Sequence, residues 1–170
     1  MKKKLNIGCG GDIRDDYVNA DLSYEPCRED IREMTFEDET FDEVLASHIL
    51  EHIHFSQLER AFLECFRVLK PNGKFVVEVP NSSGIMKAFL EAERDNNQGL
   101  QFLLLQEIFG DFGVVDAPNN HRYGFTRSSL REWLEKTGFK SIVEEFPEWG
   151  GEGHKEKPRL LRMVAIKPGD

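Results

Sequence analysis

Apolar and polar positions change period several times along the chain, and each change marks an element. Lys4–Ile7 is a short β-type run that ends at a glycine cluster, and Tyr17–Ala20 is a second that ends at Asp21. Phe41–Ser47 reads as a third strand. Lys74–Val79 is almost continuously apolar, the pattern of a strand buried on both faces. Between them, Leu58, Ala61, Phe62, Cys65, Phe66 and Leu69 fall on one stripe at the helical period, which predicts a helix over Gln57–Leu69. Ser56 with Glu59 has the spacing of a capping box, and Pro71-Asn72-Gly73 is expected to turn the chain into the next strand. A second helix fits Arg127–Lys136, capped by Thr126 and stopped at Gly138. Ser141–Phe146 and Leu160–Ile166 read as two strands joined by a Gly-rich loop from Glu148 to Pro158, which suits an antiparallel pair.

Strands alternating with helices predict an α/β fold. The expectation is a Rossmann-like, doubly wound, mostly parallel sheet of about seven strands, the last antiparallel, with helices on both faces. No repeat or low-complexity linker divides it, so residues 1–170 read as one domain. The segment 82–120 is the least patterned. Ile85, Met86, Phe89 and Leu90 have helical spacing, whereas Leu100, Phe102, Leu103, Leu104, Leu105, Ile108 and Phe109 are apolar nearly all round. A helix of that kind belongs in a core, and otherwise forms a lid over an acceptor or a self-association surface.

Composition narrows the classes of function. With 31 acidic against 22 basic residues and a net charge of −9, the chain is poorly suited to a polyanion, so no nucleic-acid partner is expected. Three cysteines make no disulfide framework and suggest a reducing, cytoplasmic setting. The longest apolar-leaning stretch, Leu100 to Phe112, is too short and too interrupted to span a bilayer, so no membrane partner is expected either.

The chemistry concentrates where the first strand runs into Gly8-Cys9-Gly10-Gly11-Asp12. Glycines there let the backbone turn sharply and approach a ligand. A dinucleotide fingerprint needs a third glycine where Ile13 stands, and its ribose acid about 20 residues on. Here Asp21 follows Gly10 by only 11 residues, too few for a regular crossover helix. Asp21 at a strand end can accept both hydroxyls of a ribose, and Asp30 could take an adenine amino group. Between Asp21 and Glu43, acids far outnumber Arg28 and Arg32, which suits a cationic, phosphate-free nucleoside.

At this point the chain resembles the class I S-adenosylmethionine (SAM) dependent methyltransferases, and within them the small type 11 group with a short first helix. Leu5-Asn6-Ile7-Gly8-Cys9-Gly10 looks like their first motif, Val18-Asn19-Ala20-Asp21 like the acidic end of their second strand, and Asp30-Ile31 like their adenine-side acid. Phe41-Asp42 through Ser47-His48-Ile49-Leu50-Glu51-His52 is similar to their fourth-strand signature, and Arg67–Gly73 to the link into their fifth strand. His121-Arg122-Tyr123-Gly124-Phe125-Thr126 through Gly138-Phe139 resembles the approach to their last helix and the helix itself. The likeness covers about four-fifths of the chain. Two positions depart from it: Asn6 stands where an acid is usual, and Asp12 where many members have a third glycine.

The resemblance implies SAM as cofactor, S-adenosylhomocysteine as product, and methyl transfer to a small-molecule or sugar acceptor through oxygen or nitrogen. The cofactor residues it implies are Asn6, Gly8, Gly10, Asp21, Asp30, Ser47 and His48. His48 and His121 are the candidates for a general base, since histidine titrates near working pH, while His52 and His54 are expected to be structural. The 82–120 segment, or a partner subunit in a homodimer, would complete the acceptor pocket. A module that binds SAM without transferring the methyl is the alternative, favoured by Asn6. More remotely, His48-x-x-Glu51-His52 fits the H-x-x-E-H pattern of zinc hydrolases, but an ordinary strand-to-helix junction explains the same letters. No metal is assigned on that basis.

Overall fold

The computed structural model describes residues 2–111, 120–145 and 159–169. The chain order is β1 (Lys4–Ile7), β2 (Val18–Ala20), β3 (Phe41–Ser47), a 3₁₀ turn (Leu50–His52), α1 (Phe55–Val68), β4 (Leu69–Pro80), α2 (Ser82–Arg94), α3 (Gln98–Phe109), α4 (Arg127–Thr137), β5 (Lys140–Glu145) and β6 (Leu160–Ile166). The predicted loop Glu148–Pro158 and Phe146 lie outside the described residues.

These strands form one sheet in the order β2-β1-β3-β4-β6-β5. β1 pairs in parallel with β2 and β3, and β3 with β4. β6 enters antiparallel between β4 and β5. The sheet is the expected one with a corrected strand count: among the described residues there are six strands, not about seven. Between β2 and β3 the described chain makes only an isolated bridge, Asp30 to Glu33, and its acids bond within the loop, Asp30 to Arg32 and Glu29 to Thr35.

Strand alternation sorts the side chains. Leu5, Ile7, Val44, Ala46, Phe75, Val77, Met163 and Ala165 point to one face and meet Leu58, Ala61, Phe62 and Cys65 of α1 and Leu130 and Leu134 of α4. Phe62 stacks on Trp133 at 5.6 Å. The opposite parity carries a smaller apolar cluster, Leu45, Val76 and Val164, with Tyr17 against it. The buried Glu78–Arg162 pair, at 2.6 Å, also belongs to β4 and β6.

Three local expectations are corrected. α1 starts two residues earlier than predicted, at Phe55 instead of Gln57. Its N-cap is His54, whose Nδ1 accepts from the Ser56 amide, so the Ser56–Glu59 box does not form and Glu59 pairs with Lys136. Pro71-Asn72-Gly73 does not separate helix from strand. It is an excursion inside β4, between the pairs Phe41–Leu69 and Glu43–Lys74, stitched to Lys167 by two backbone bonds. Finally, α2 and α3 form a hairpin with their own small core of Ile85, Ala92 and Leu104. The apolar α3 is therefore not a core helix: Phe102, Leu103 and Phe109 are each more than half exposed. α4 is as expected, with Thr126 in a capping box and Gly138 in the left-handed conformation.

Candidate functional site

β1 feeds β2 on one side of the sheet and β3 lies on the other, so the chain reverses its winding at β1. Ligands of open α/β sheets bind beyond the carboxyl ends of the strands at such a point. A cleft of about 450 Å³ opens there, lined among others by Gly8, Gly10, Asp21, Asp30, His48 and His52. A second cleft of like volume, with Lys4, Tyr17, Glu43 and Arg162 on its walls, lies over the strands rather than their ends.

The glycines do different work. Gly8 has φ +72°, and a Cβ on it would meet Ile49 at 2.6 Å. Gly10, at φ +48°, would send a Cβ into open space, so its backbone faces the cleft bare. The turn is fixed from beneath. Asn6, buried in β1, donates to the Asp12 carbonyl at 2.7 Å and to Asn19 Oδ1 at 3.1 Å, and Asn19 in turn holds Arg14.

Asp21 follows the last residue of β2. Its Oδ1 accepts from the amide and hydroxyl of Ser23 at 2.8 and 2.7 Å, and its Oδ2 from the Gly10 amide at 3.2 Å. Burial pushes its pKa up, but the Ser23 and Gly10 bonds outweigh that and leave it below the usual carboxylate value. Asp30 is gripped by Arg32 through both oxygens, at 2.8 and 2.6 Å, and this bond above all lowers its pKa. Arg32 also reaches Gln57 Oε1 at 2.6 Å, which ties the acidic loop to the start of α1.

On the other wall, His48 takes a positive φ of 53° just past β3, and its half-exposed ring lies 3.2 Å from Glu51 Oε1. That bond raises the His48 pKa against the opposing effect of burial. Because Leu50–His52 is a 3₁₀ turn, His48 and His52 do not share a helical face. The H-x-x-E-H reading fails on this geometry. His121 instead packs edge-on to His52, ring centroids 4.9 Å apart, and burial lowers its pKa.

Residues 9–77 match the family model described as a methyltransferase domain. A solved SAM-dependent methyltransferase from Archaeoglobus fulgidus superposes with a TM-score of 0.64 at 16% identity, covering 98% of this chain and 86% of that one. A Burkholderia thailandensis 1,6-didemethyltoxoflavin-N1-methyltransferase, solved with its substrate and S-adenosylhomocysteine, gives 0.63 at 17% identity, over 98% and 71%. This is the class I SAM-dependent methyltransferase fold. An uncharacterized protein of Methanocaldococcus jannaschii is 32% identical over 88 residues, which span 52% of this chain and 30% of that relative.

Within the methyltransferase fold, five of the seven expected cofactor residues, Gly8, Gly10, Asp21, Asp30 and His48, line one cleft. Asn6 and Ser47 do not. The Asn6 amide is committed to the turn, and Ser47 Oγ donates to Glu78 Oε2 at 2.7 Å. Of the proposed bases, His48 lines the cleft and His121 stands beside His52. His54 is structural, as expected, but His52 lines the cleft. Ser23 and Arg32, partners of the two acids, carried no sequence signal beyond their nearness to them.

Proposed function

We propose that this chain binds SAM in the cleft beyond β1, β2 and β3 and transfers its methyl group to an oxygen or nitrogen of a small-molecule or sugar acceptor. The observation that supports it most is Asp21, held ionised at the end of β2 beside the bare Gly10 backbone. That wall fits a cationic nucleoside with no phosphate: carboxylates at Asp21 and Asp30, no cation paired with Asp21 among the described residues, and the bare backbone of Gly10. When bound, SAM supplies an electrophilic methyl on a sulfonium sulfur. The chain's own residues then have three tasks. Asp21 takes ribose hydroxyls, for which the Ser23 hydroxyl gives up its bond, and Asp30, shared with Arg32, faces the adenine edge. His48, at the mouth of the cleft, accepts the proton of an acceptor that enters protonated. The hairpin α2–α3 closes the acceptor side, alone or against a second copy of the chain. Three free thiols fit a reducing, cytoplasmic setting. Among the described residues no helix is long and apolar enough to cross a membrane.

Calorimetry with SAM, followed by a turnover screen against nucleotide sugars, phenols and amines, tests this reading. No SAM binding at high micromolar concentration would overturn it. The commitment of Asn6 to the turn favours one rival, a SAM-binding module without transfer. Tight binding with no turnover across the screen would support that rival.

A further inference from the structure

Glu51 is an acid at 1% exposure, carried by the 3₁₀ turn between His48 and His52, which line the cleft. Its Oε1 faces His48, but its Oε2 is buried and, among the described residues, has no hydrogen-bond partner. A buried carboxylate oxygen left so carries the full cost of its desolvation, and such a group calls for a cation or a donor. Two histidines lie beside this carboxylate. One ring nitrogen from His52, one from His121 and one oxygen of Glu51 lie within 4.8 Å of one another.

The backbone holds both rings in a ligand-like way. His52 Nδ1 lies 3.3 Å from the Asn120 carbonyl, and His121 Nδ1 lies 3.2 Å from the Ile108 carbonyl. A ring that donates its Nδ1–H to a carbonyl keeps its lone pair on Nε2, and metal-binding histidines are commonly fixed by this kind of bond. The loop bearing His121 is hung on Glu51 itself, because the amides of Arg122 and Tyr123 both donate to the Glu51 carbonyl, at 2.7 and 3.1 Å. His121 also donates its own amide to Phe109, at the end of α3. Residues 70 positions apart are thus brought to one point by main-chain bonds.

We infer that Glu51, His52 and His121 form a binding site for one divalent transition-metal ion of the zinc class. Two imidazoles and one carboxylate suit zinc, iron or cobalt rather than magnesium or calcium, which prefer oxygen ligands throughout. Three protein ligands leave at least one position open. His52 also lines the cleft, which puts the site next to it. There the ion takes a hydroxyl of the acceptor and lowers its pKa as it would for a bound water, and the proton passes to His48 or to solvent. This rests on the reading above and narrows it: the acceptor is a hydroxyl compound. His121 is then a ligand, and His48 alone remains as base.

The test uses the full chain, stripped with chelator and titrated with cobalt(II) and zinc(II) by calorimetry, with visible absorption recorded for cobalt. One equivalent per chain and a ligand-field spectrum are expected. Glu51→Gln, His52→Ala and His121→Ala should each weaken binding about 100-fold or more, while His54→Ala, at the helix cap, leaves it unchanged. His121→Ala removes only a half-buried ring, so it serves if Glu51→Gln fails to fold. Sub-stoichiometric uptake, or equal uptake by His52→Ala and His121→Ala, overturns the site. SAM calorimetry on the stripped chain separates the two ideas. Binding of SAM without cobalt leaves methyl transfer standing and removes the metal, whereas cobalt without SAM does the reverse.

Discussion

The two walls of the cleft are built on opposite plans. On the cofactor wall each carboxylate is already satisfied: Asp21 by Ser23 and Gly10, Asp30 by Arg32. Its parts come from a short stretch of chain running from β1 through the loop after β2. Behind the facing wall, Glu51 has an oxygen with no partner among the described residues, and it meets His121 across 70 positions. A satisfied wall is rigid before its ligand arrives and spends little on ordering it. A wall backed by a buried carboxylate oxygen without a donor has polar capacity in reserve, which a ligand or ion can use.

The largest effect expected from breaking this contrast is at the hinge between the walls. Gly8→Val would combine a left-handed φ with a clash against Ile49, costing about 2–4 kcal/mol of stability in a denaturant titration and abolishing SAM binding. A variant as stable as the parent would show that the walls are not joined at Gly8. His48→Ala should lower turnover by about 100-fold and leave SAM affinity within about threefold. Equal losses in both would place His48 on the cofactor wall instead.

Asp21→Ala is expected to weaken SAM binding by about 10–100-fold, the worth of one or two bonds to a charged acceptor. Because the pKa of Asp21 is depressed in the folded chain, it stays ionised from neutral pH down past the ordinary value of about 3.9. Its contribution is present above the unfolded pKa and is lost only as pH falls through the folded one. SAM affinity should therefore be flat between about pH 8 and pH 5; a fall centred near pH 6 would assign binding to a histidine. Ser23→Ala, which removes the hydroxyl that competes for Asp21 Oδ1, should change SAM affinity by no more than about threefold. The smallest effect is expected at Leu103→Ser on the exposed face of α3, within about 0.5 kcal/mol in stability. A clear loss there would mean that something covers the hairpin.

Legibility in the sequence follows the range of the forces involved. β3 and β6 lie where their apolar runs ended, and α4 begins at Thr126 and stops at Gly138, because strand alternation and helix caps are settled within a few residues. The glycine turn and Asp21 were visible for the same reason: a positive φ and an acid at a strand end are local facts. The helix cap at His54 was missed because the Ser56–Glu59 spacing offered a cap of the right form two residues later. The character of α3 was missed because apolarity all round a helix cannot say which neighbour is present to cover it.

By itself, then, the sequence determined the strand and helix periods, the turn, the acids at the end of β2 and in the loop after it, and the negative charge that disfavours a polyanion. Tertiary structure decided what those side chains are free to do. Asn6 and Ser47 sit in predicted motifs, yet their polar atoms are committed to the Asp12 carbonyl and to Glu78, and neither lines the cleft. Glu51, His52 and His121 belong to two separate motifs and become one group only when the segment after α3 is drawn onto the Glu51 carbonyl. The physical reason is that propensity and patterning act along the chain, whereas the desolvation of a charge and the pairing of a donor depend on whatever packs against it from elsewhere.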